Sequence, residues 1–320
     1  MYPLKFHPIL KERIWGGKKL ASVLGKKLDS DITGESWELS GVAGDVSVVS
    51  NGPLAGTSLS SLIQNFPVKL LGQEVFDRFD HEFPILIKFI DARKDLSIQL
   101  HPNDELARAR HNSLGKTEMW YIMDADIGAE LIIGFETDVT KESYVNSLEN
   151  NTITNLLHYQ KVNQGDAFFI NTGKIHAIGA GILLAEIQQT SDITYRVFDF
   201  NRKDKNGKLR ELHTELALDA IDFRKKEDFT IGYAQSRDVL NSMVDCPYFK
   251  TNYLSLTTNF NQDLSEFLSF VIYICVEGSA TIVNEDGEVS IRQGETVLIS
   301  ADTKAIRIVT SGARFLVVDV

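Results

Sequence analysis

Cysteine is scarce in this chain of 320 residues. Only Cys246 and Cys275 occur, and their spacing matches no metal knuckle, so reduced core thiols are the better interpretation. No run of about 18 apolar residues is present, the length that a membrane-spanning helix needs. The start, MYPLKFHPILKERIWGG, has no uninterrupted apolar segment typical of signal peptides. The sequence therefore predicts a cytoplasmic protein without a membrane span.

Clustered positive charge is also missing. The formal net charge is −11, and only short basic stretches such as Arg202–Lys208 occur. Because binding to a phosphate backbone needs a basic footprint, the charge argues against nucleic acid as the main partner. A phosphorylated small molecule stays open, since a few local cations suffice for one phosphate. The Asn206-Gly207 pair inside the basic stretch predicts a hairpin-type turn.

Short β-type runs are abundant. They are rich in Ile, Leu, Val and Phe and are bounded by turn residues, which is typical of an all-β barrel or sandwich. Between residues 83 and 200 the runs are PILIKFIDA, ELIIGF, DAFFIN and ILLAEIQQ. Between residues 248 and 320 they are FVIYICV, SATIVN, ETVLISA and ARFLVVDV.

The two groups of runs resemble each other. Gln164–Ile170 is similar to Gln293–Ile299, and Trp120–Met123 is similar to Ile272–Cys275. A helix-like insert at Val139–Tyr159 accounts for most of the extra length in the first copy. The pattern predicts two copies of one barrel unit, with a boundary near residue 235 that gives domains 1–235 and 236–320.

Three helices are predicted around the first copy. Ser58–Phe66 has apolar residues at helical spacing, and Pro67 is expected to end it. Asn103–Asn112 has good helix formers, with Asn103 or Asp104 as a cap. Glu211–Ile221, starting near Thr214, is expected to bridge the two copies.

The segment LSIQLHPND carries the strongest chemical signal. Residues two apart share one face of a strand, so Gln99 and His101 project together. Glu118 begins the next predicted strand, and His176 follows the strand after the Gly165 turn. Two imidazoles, a carboxylate and an amide oxygen form a plausible four-ligand site for a divalent metal. A single histidine on a strand is more often structural, so this spacing alone is weak evidence.

The repeat offers a comparison for two of these residues. Placed on the second copy, Glu118 falls opposite Phe270 and His176 falls opposite Ala305. Both positions are therefore expected to be apolar there. The asymmetry indicates that the first copy carries the chemistry and that the second is a barrel with an apolar centre.

With these motifs in order, the chain resembles the type I phosphomannose isomerases, which are zinc enzymes built on cupin barrels. The resemblance covers most of the chain and matches the shorter bacterial form, without a large helical insertion. It implies a mainly β fold of two jelly-roll barrels with helical insertions in and around the first. The motifs that carry it are RIWGG, GESWELSG, LIKFIDARKDLSIQLHPND, GKTEMWYIM and GKIHAIGAGILLAEIQQTSDITYRVFDFNR.

The resemblance also implies roles for individual residues. One Zn²⁺ per chain is expected, bound by Gln99, His101, Glu118 and His176. Arg196 is expected to be catalytic. Further pocket residues implied by the match are Lys88, Ser97, Lys116, Glu186 and Asp192, with Glu35 and Trp37 in a motif similar to the family's lid.

The implied reaction interconverts mannose 6-phosphate and fructose 6-phosphate through an enediolate. Asp192 and Lys116 are the candidates for the proton transfer, and a lysine in that role needs its pKa lowered toward neutrality. Rival functions are another metal-dependent cupin enzyme and a non-catalytic cupin that binds sugar phosphates. The sequence leaves a homodimer open.

Overall fold

The computed structural model describes residues 1–203, 207–225 and 228–320. It is mainly β, as predicted. The first eleven strands are β1 Ile9–Gly17, β2 Thr33–Leu39, β3 Ile85–Ala92, β4 Ile98–Leu100, β5 Glu118–Ala125, β6 Glu130–Phe135, β7 Leu157–Lys161, β8 Ala167–Ile170, β9 His176–Ile178, β10 Ile182–Gln189 and β11 Tyr195–Phe198. The last eight are β12 Leu240–Asp245, β13 Lys250–Leu256, β14 Phe260–Asp263, β15 Val271–Asn284, β16 Gly287–Arg292, β17 Thr296–Ile299, β18 Ala305–Val309 and β19 Ala313–Asp319.

Short helices lie between the strands of the first eleven and just after them. They are α1 Lys19–Ser22, α2 Leu59–Asn65, α3 Pro67–Leu71, α4 Gln73–Phe79, α5 Asp104–His111, α6 Lys141–Glu149 and α7 Thr214–Ala220, with a 3₁₀ turn at Ile153–Leu156. None of the helices in the described ranges is long and apolar enough to cross a membrane.

The first eleven strands form two antiparallel sheets that face each other. One has the order β1-β2-β3-β10-β5-β8 and the other β11-β4-β9-β6-β7. Alternate residues of both sheets, such as Trp120 and Leu184 from one and Leu131 and Ile133 from the other, are buried together between them. Along each strand, successive side chains point to opposite sides of the sheet, so every second residue faces the space between the two sheets.

The last eight strands form a second unit around β15. This 14-residue strand pairs with β17 and β19 along its first part and with β16 and β18 along its second part. The runs FVIYICV and SATIVN are therefore parts of one bent strand. A register shift between Cys275 and Glu277, next to Gly278 with φ of 76°, marks the bend.

The two units share a core. The outer faces of β3, β5 and β10 pack against the second unit, with Met119 and Tyr121 in the same apolar cluster as Phe270, Ile272 and Leu316. This shared core fixes the position of the second unit against the first.

The helix predictions are confirmed with changes at their ends. Ser58 caps α2 by accepting a hydrogen bond from the Ser61 N–H, but Pro67 does not end helical structure, because it begins α3. Asn103, not Asp104, caps α5. The helix expected to bridge the two copies is shorter, Thr214–Ala220, and its buried Ala217 packs in a cluster of the first unit with Ile98 and Val197.

The insert at 139–159 is helical only in part. It contains α6, the 3₁₀ turn and the first residues of β7. The turn predicted at Asn206-Gly207 lies partly outside the described residues, although Lys203 and Leu209 on either side form an antiparallel bridge.

The alignment of Glu118 with Phe270 is wrong by one residue. The Gly165 N–H donates to the Ile122 carbonyl, whereas the Gly294 N–H donates to the Cys275 carbonyl. Ile122 therefore corresponds to Cys275, and counting back four residues sets Glu118 against Val271. Because side chains alternate, a slip of one residue exchanges the two faces. Phe270 lies in the core between the units, whereas Val271 points into the second one.

The alignment of His176 with Ala305 also fails, because the Ala305 side chain is exposed. The interior residues of β18 are Ile306 and Ile308. The conclusion drawn from the alignment still holds, since Val271, Ile306 and Ile308 are all apolar and buried.

Candidate metal centre and cavity

Three neighbouring strands bring the candidate residues together. In the five-stranded sheet the short strand β4 lies between β11 and β9, so Gln99 is paired with Arg196 on one side and with His176 on the other. Directly paired residues of antiparallel strands share a face. The spacing in SIQLH thus places an amide, a guanidinium and an imidazole side by side.

His101, Glu118 and His176 converge at the end of this row. One possible ligand atom from each lies within 4.8 Å of the other two, and all three residues are almost completely buried. A Glu118 carboxylate oxygen is 3.4 Å from His176 Nε2, and the other is 3.7 Å from His101 Nε2. Glu118 reaches them from the facing sheet, as the first residue of β5.

Backbone carbonyls orient both imidazoles. His101 Nδ1 is 2.8 Å from the Ile193 carbonyl oxygen, and His176 Nδ1 is 2.8 Å from the Lys174 carbonyl oxygen. Since a carbonyl only accepts, each Nδ1 carries the hydrogen and each Nε2 keeps its lone pair. This is the arrangement in which outer contacts prepare histidines for a metal.

The donor set fits a divalent ion. His176 Nε2 and Glu118 Oε1 are buried polar atoms without a hydrogen-bond partner among the described residues. Such orphaned atoms are costly unless something pairs with them. Two imidazole nitrogens and a carboxylate, with the amide of Gln99 paired beside His176, make a set that suits zinc.

Lys116 lies among these ligands. Its ammonium donates to Glu118 Oε2, is 3.2 Å from His101 Nε2 and is 3.6 Å from Glu186 Oε1. The segment before it is tied to α5, because the Gly115 N–H donates to Asp104 Oδ1 at 2.7 Å. A Cβ at Gly115 would be 2.7 Å from the Asp104 nitrogen, so only glycine allows this approach.

Burial and neighbouring charges set the protonation of the centre. Burial lowers the pKa of both histidines, that of His176 to about 4, so both rings are neutral near pH 7. Burial raises the pKa of Glu118, although Lys116 opposes this. Burial alone lowers the pKa of Lys116, but Glu118 and Glu186 outweigh it and keep that pKa above its ordinary value. The lowered pKa expected of a proton-accepting lysine is therefore not found, and in these contacts Lys116 is a cation and a proton donor.

A cavity of about 530 Å³ borders the centre, and His176 forms part of its lining. The other residues predicted for the site all line this cavity, namely Glu35, Trp37, Lys88, Ser97, Gln99, Lys116, Glu186, Asp192 and Arg196. Asp192 and Thr194 lie in the loop before β11, whereas Arg196 lies in the strand itself, which begins at Tyr195.

A network of polar contacts forms one wall of the cavity. Glu186 accepts from Trp120 Nε1 at 2.9 Å and pairs with Lys88 at 3.2 Å. Trp37 donates to Glu35 at 2.7 Å, and its ring faces the Lys88 ammonium at 4.9 Å. Burial raises the pKa of Glu35, but the nearby cations, Lys88 first, outweigh this and hold it below its ordinary value.

Arg196 has no carboxylate partner among the described residues. Its guanidinium donates to Ser97 Oγ at 3.3 Å and to the Glu211 carbonyl at 3.0 Å. The backbone of Arg196 is fixed by His213, which exchanges two hydrogen bonds with it, of 3.0 and 2.7 Å. Burial lowers the pKa of Arg196, and Arg210 is the first of the charged neighbours that lower it further.

The sequence analysis missed several residues of the cavity, above all Arg210. Lys11, Arg13 and Trp120 also line it. Arg13 and Trp120 lie inside the quoted motifs RIWGG and GKTEMWYIM, so the motifs could have indicated them. Lys11 and Arg210 carry no comparable signal, since only the fold brings them to the cavity.

Fold and site together define a cupin protein with a buried two-histidine, one-carboxylate centre. The family model described as "Phosphomannose isomerase type I, catalytic domain" matches residues 4–139, and that described as "Mannose-6-phosphate isomerase, cupin domain" matches residues 240–319. The chain belongs to the type I phosphomannose isomerase family, and the predicted fold of two cupin-type units is confirmed.

Individual relatives agree with this assignment. The chain is 39% identical to mannose-6-phosphate isomerase ManA of Bacillus subtilis over 93% of its length and 92% of the relative's. It is 32% identical to a mannose-6-phosphate isomerase of Streptococcus mutans, with 95% and 94% covered. A crystal structure of the mannose 6-phosphate isomerase from Bacillus subtilis superposes over 100% of both chains with a TM-score of 0.90 at 32% identity.

Proposed function

We propose that this protein interconverts mannose 6-phosphate and fructose 6-phosphate, with one zinc ion bound by Gln99, His101, Glu118 and His176. The observation that carries this is the pair of unpartnered atoms, His176 Nε2 and Glu118 Oε1, buried beside a polar cavity. Family membership supports the reaction, and the donor set supports the metal.

The reaction moves a proton between neighbouring sugar carbons while charge develops on oxygen. The chemistry that zinc supplies here is polarisation of a substrate oxygen. Arg196, next to Gln99 in the sheet, adds fixed positive charge where that oxygen becomes an enediolate. Its guanidinium is available because no described carboxylate neutralises it.

Proton transfer is assigned to Lys116 and Asp192. Asp192, an exposed carboxylate on the cavity wall, accepts the proton from C2 of the sugar and returns it to C1. Lys116, a buried ammonium bonded to Glu118, donates a proton to the C1 carbonyl oxygen and takes one back from the C2 hydroxyl as the ketone forms. Trp37 and Glu35 line another part of the cavity. Lys88 and Glu186 connect this part to Lys116, since Glu186 pairs with both lysines.

We also propose that the protein works in the cytoplasm. Both cysteines are free, and one of them, Cys275, is buried in the second cupin unit. Free core thiols are typical of a reducing compartment.

One assay tests the proposed reaction. Purified protein is incubated with mannose 6-phosphate, and fructose 6-phosphate is followed by coupled enzymes. A chelator should abolish the activity, and zinc should restore it. Absence of fructose 6-phosphate from a zinc-loaded, folded protein would refute the function, and full activity in a metal-free protein would refute the metal.

A further inference from the structure

The charges around the cavity are unevenly matched. On the side of β1, β2 and β3, three cations each contact a carboxylate: Lys11 with Asp45, Arg13 with Glu35 and Lys88 with Glu186. These pairs leave little net charge on that side.

The opposite side, after β11, has an excess of positive charge. Arg196, Arg202 and Arg210 lie there, and the described carboxylates near them are Asp199 and Glu211. Glu211 is exposed, whereas Asp199 is only 5% exposed. Among the residues of this side that line the cavity, the guanidiniums of Arg196 and Arg210 outnumber the one carboxylate, Asp192, so the wall is positive where it meets the cavity.

Asp199 binds two of these guanidiniums at once. Arg210 approaches it in the bidentate geometry, with Nε 2.7 Å from Oδ2 and Nη2 bonded to Oδ1. Arg202 bonds to the same Oδ1 and is anchored further by the carbonyl oxygens of Asp95 and Asp199. One buried carboxylate thus orients two cations, of which Arg210 lines the cavity and Arg202 does not.

We propose that Arg210 binds the phosphate group of the substrate and that Asp199 is the residue that positions it. The proposal rests on the proposed function, because it names the part of the site that recognises a phosphorylated sugar. An arginine that uses one edge against a carboxylate keeps its remaining N–H groups for phosphate oxygens. With Arg210 on the phosphate, Arg196 stays available for the reacting oxygens beside Gln99.

Asp199 is a positioning residue because it does not line the cavity. Substitution of Asp199 leaves Arg210 charged but removes the two hydrogen bonds that orient the Arg210 guanidinium. Since burial of Asp199 without its arginines would be costly, the pair is expected to act as a unit. The two substitutions should therefore be strongly non-additive for phosphate binding.

The experiment measures phosphate binding apart from turnover. Inorganic phosphate and 1,5-anhydromannitol 6-phosphate, a sugar phosphate that lacks the C1 carbonyl and cannot be isomerised, are titrated by calorimetry into the zinc-loaded wild type, Arg210→Met, Arg210→Lys and Asp199→Asn. Arg210→Met should raise Kd for both by about 10- to 100-fold, the size expected for losing a charged hydrogen bond. Arg210→Lys should recover part of the loss, and the double variant Asp199→Asn/Arg210→Met should bind no worse than Arg210→Met.

Arg224→Met is the matched control. Arg224 is also an arginine bonded twice to one aspartate, Asp222, but it does not line the cavity. It should leave both Kd values unchanged. If Asp199→Asn does not fold, the two Arg210 variants decide the question alone.

The outcomes separate this proposal from the function on which it rests. Unchanged Kd values in Arg210→Met, or a fall confined to kcat, would overturn the role of Arg210. Additive effects of the two substitutions would overturn the role of Asp199. A wild type that binds inorganic phosphate through Arg210 but does not convert mannose 6-phosphate would uphold this site and refute the isomerase activity.

Discussion

The two histidines of the centre are oriented by backbone carbonyls and not by acidic side chains. His101 and His176 each use Nδ1 in this way, at 2.8 Å, and present Nε2 to the same small volume. Because these carbonyls are backbone groups, the position of the main chain, and not that of a neighbouring side chain, selects the tautomer of each histidine.

We predict that His176→Ala loses the metal. It removes one of two nitrogen ligands, so zinc measured by elemental analysis should fall from about one per chain toward zero, and isomerase activity should fall with it. His158→Ala is the control, since the His158 side chain pairs with Glu136 at the surface and is not one of the cavity residues. Retention of a full equivalent of zinc by His176→Ala would contradict the assigned centre.

We predict that Arg196→Ala lowers kcat by about 10²–10³, the cost of losing one donor to a developing oxyanion. Because no described carboxylate depends on Arg196, the melting temperature and the zinc content should stay near those of the wild type. Steady-state kinetics and thermal unfolding check this. A large loss of stability would assign Arg196 a structural role, and an effect on KM alone would make it a substrate-binding residue.

Strand β4 shows how much a short element can position. It has three residues, yet its partners on both sides make Gln99 the centre of a row of polar side chains. The alternation of side chains along β4 can be predicted from the sequence SIQLH. The residues paired with Gln99, His176 and Arg196, are 77 and 97 residues further along the chain, and no local pattern predicts that pairing. Local periodicity gives the face of a residue, and only sheet order gives its neighbours.

Helix α5 follows the centre directly and is tied to it by hydrogen bonds. Asn103 caps it by accepting from the Leu106 N–H at 3.0 Å, and Asp104 accepts from Gly115 and from Gln189. The start of this helix therefore sets the path that leads to Lys116.

We predict that Asn103→Ala lowers the free energy of unfolding by about 1 kcal/mol, the usual cost of losing a cap. Ser58→Ala, which removes the cap of α2, should cost a similar amount and serves as the control. Only Asn103→Ala should also lower kcat, because the start of α5 is hydrogen-bonded to Gly115, the residue before Lys116. Urea unfolding and the coupled assay check this, and equal kinetics in both variants would contradict the link.

At the scale of the whole molecule, the second cupin unit is a packing partner. Its interior is closed by apolar side chains such as Val271, Val297 and Ile308, and its outer face completes the core of the first unit. Among the described residues, the cluster that could bind a metal lies in the first unit. The boundary near residue 235 stays a prediction.

One charged group of the second unit carries a pH dependence. Asp319 is 8% exposed at the end of β19, paired in register with Lys250. Burial raises its pKa to about 6, with Asp245 adding to the rise and Lys250 opposing it. A carboxyl with a raised folded-state pKa favours the fold at low pH, and this contribution is lost as the pH rises through about 6.

We therefore predict that Asp319→Asn is more stable than the wild type at pH 8, by about 1–3 kcal/mol, and equally stable near pH 4. The variant no longer ionises a buried group. Urea unfolding at the two pH values checks this, with the exposed residue substitution Glu288→Gln as the control. A variant less stable than the wild type at pH 8 would mean that the attraction to Lys250 outweighs the cost of burial.

The sequence by itself determined the β class, the repeat, the capped helices and, through SIQLH and the motifs around it, which side chains gather at the site. These follow from patterns that are local, since facing, capping and turn formation depend on residues close along the chain. Only the tertiary structure decided that Val271 and not Phe270 matches Glu118, that Lys116 lies between the ligands, and that Asp199 brings Arg210 to the cavity. Each of these depends on strand register or on contacts across loops, which the packing of the whole molecule selects and no single segment specifies.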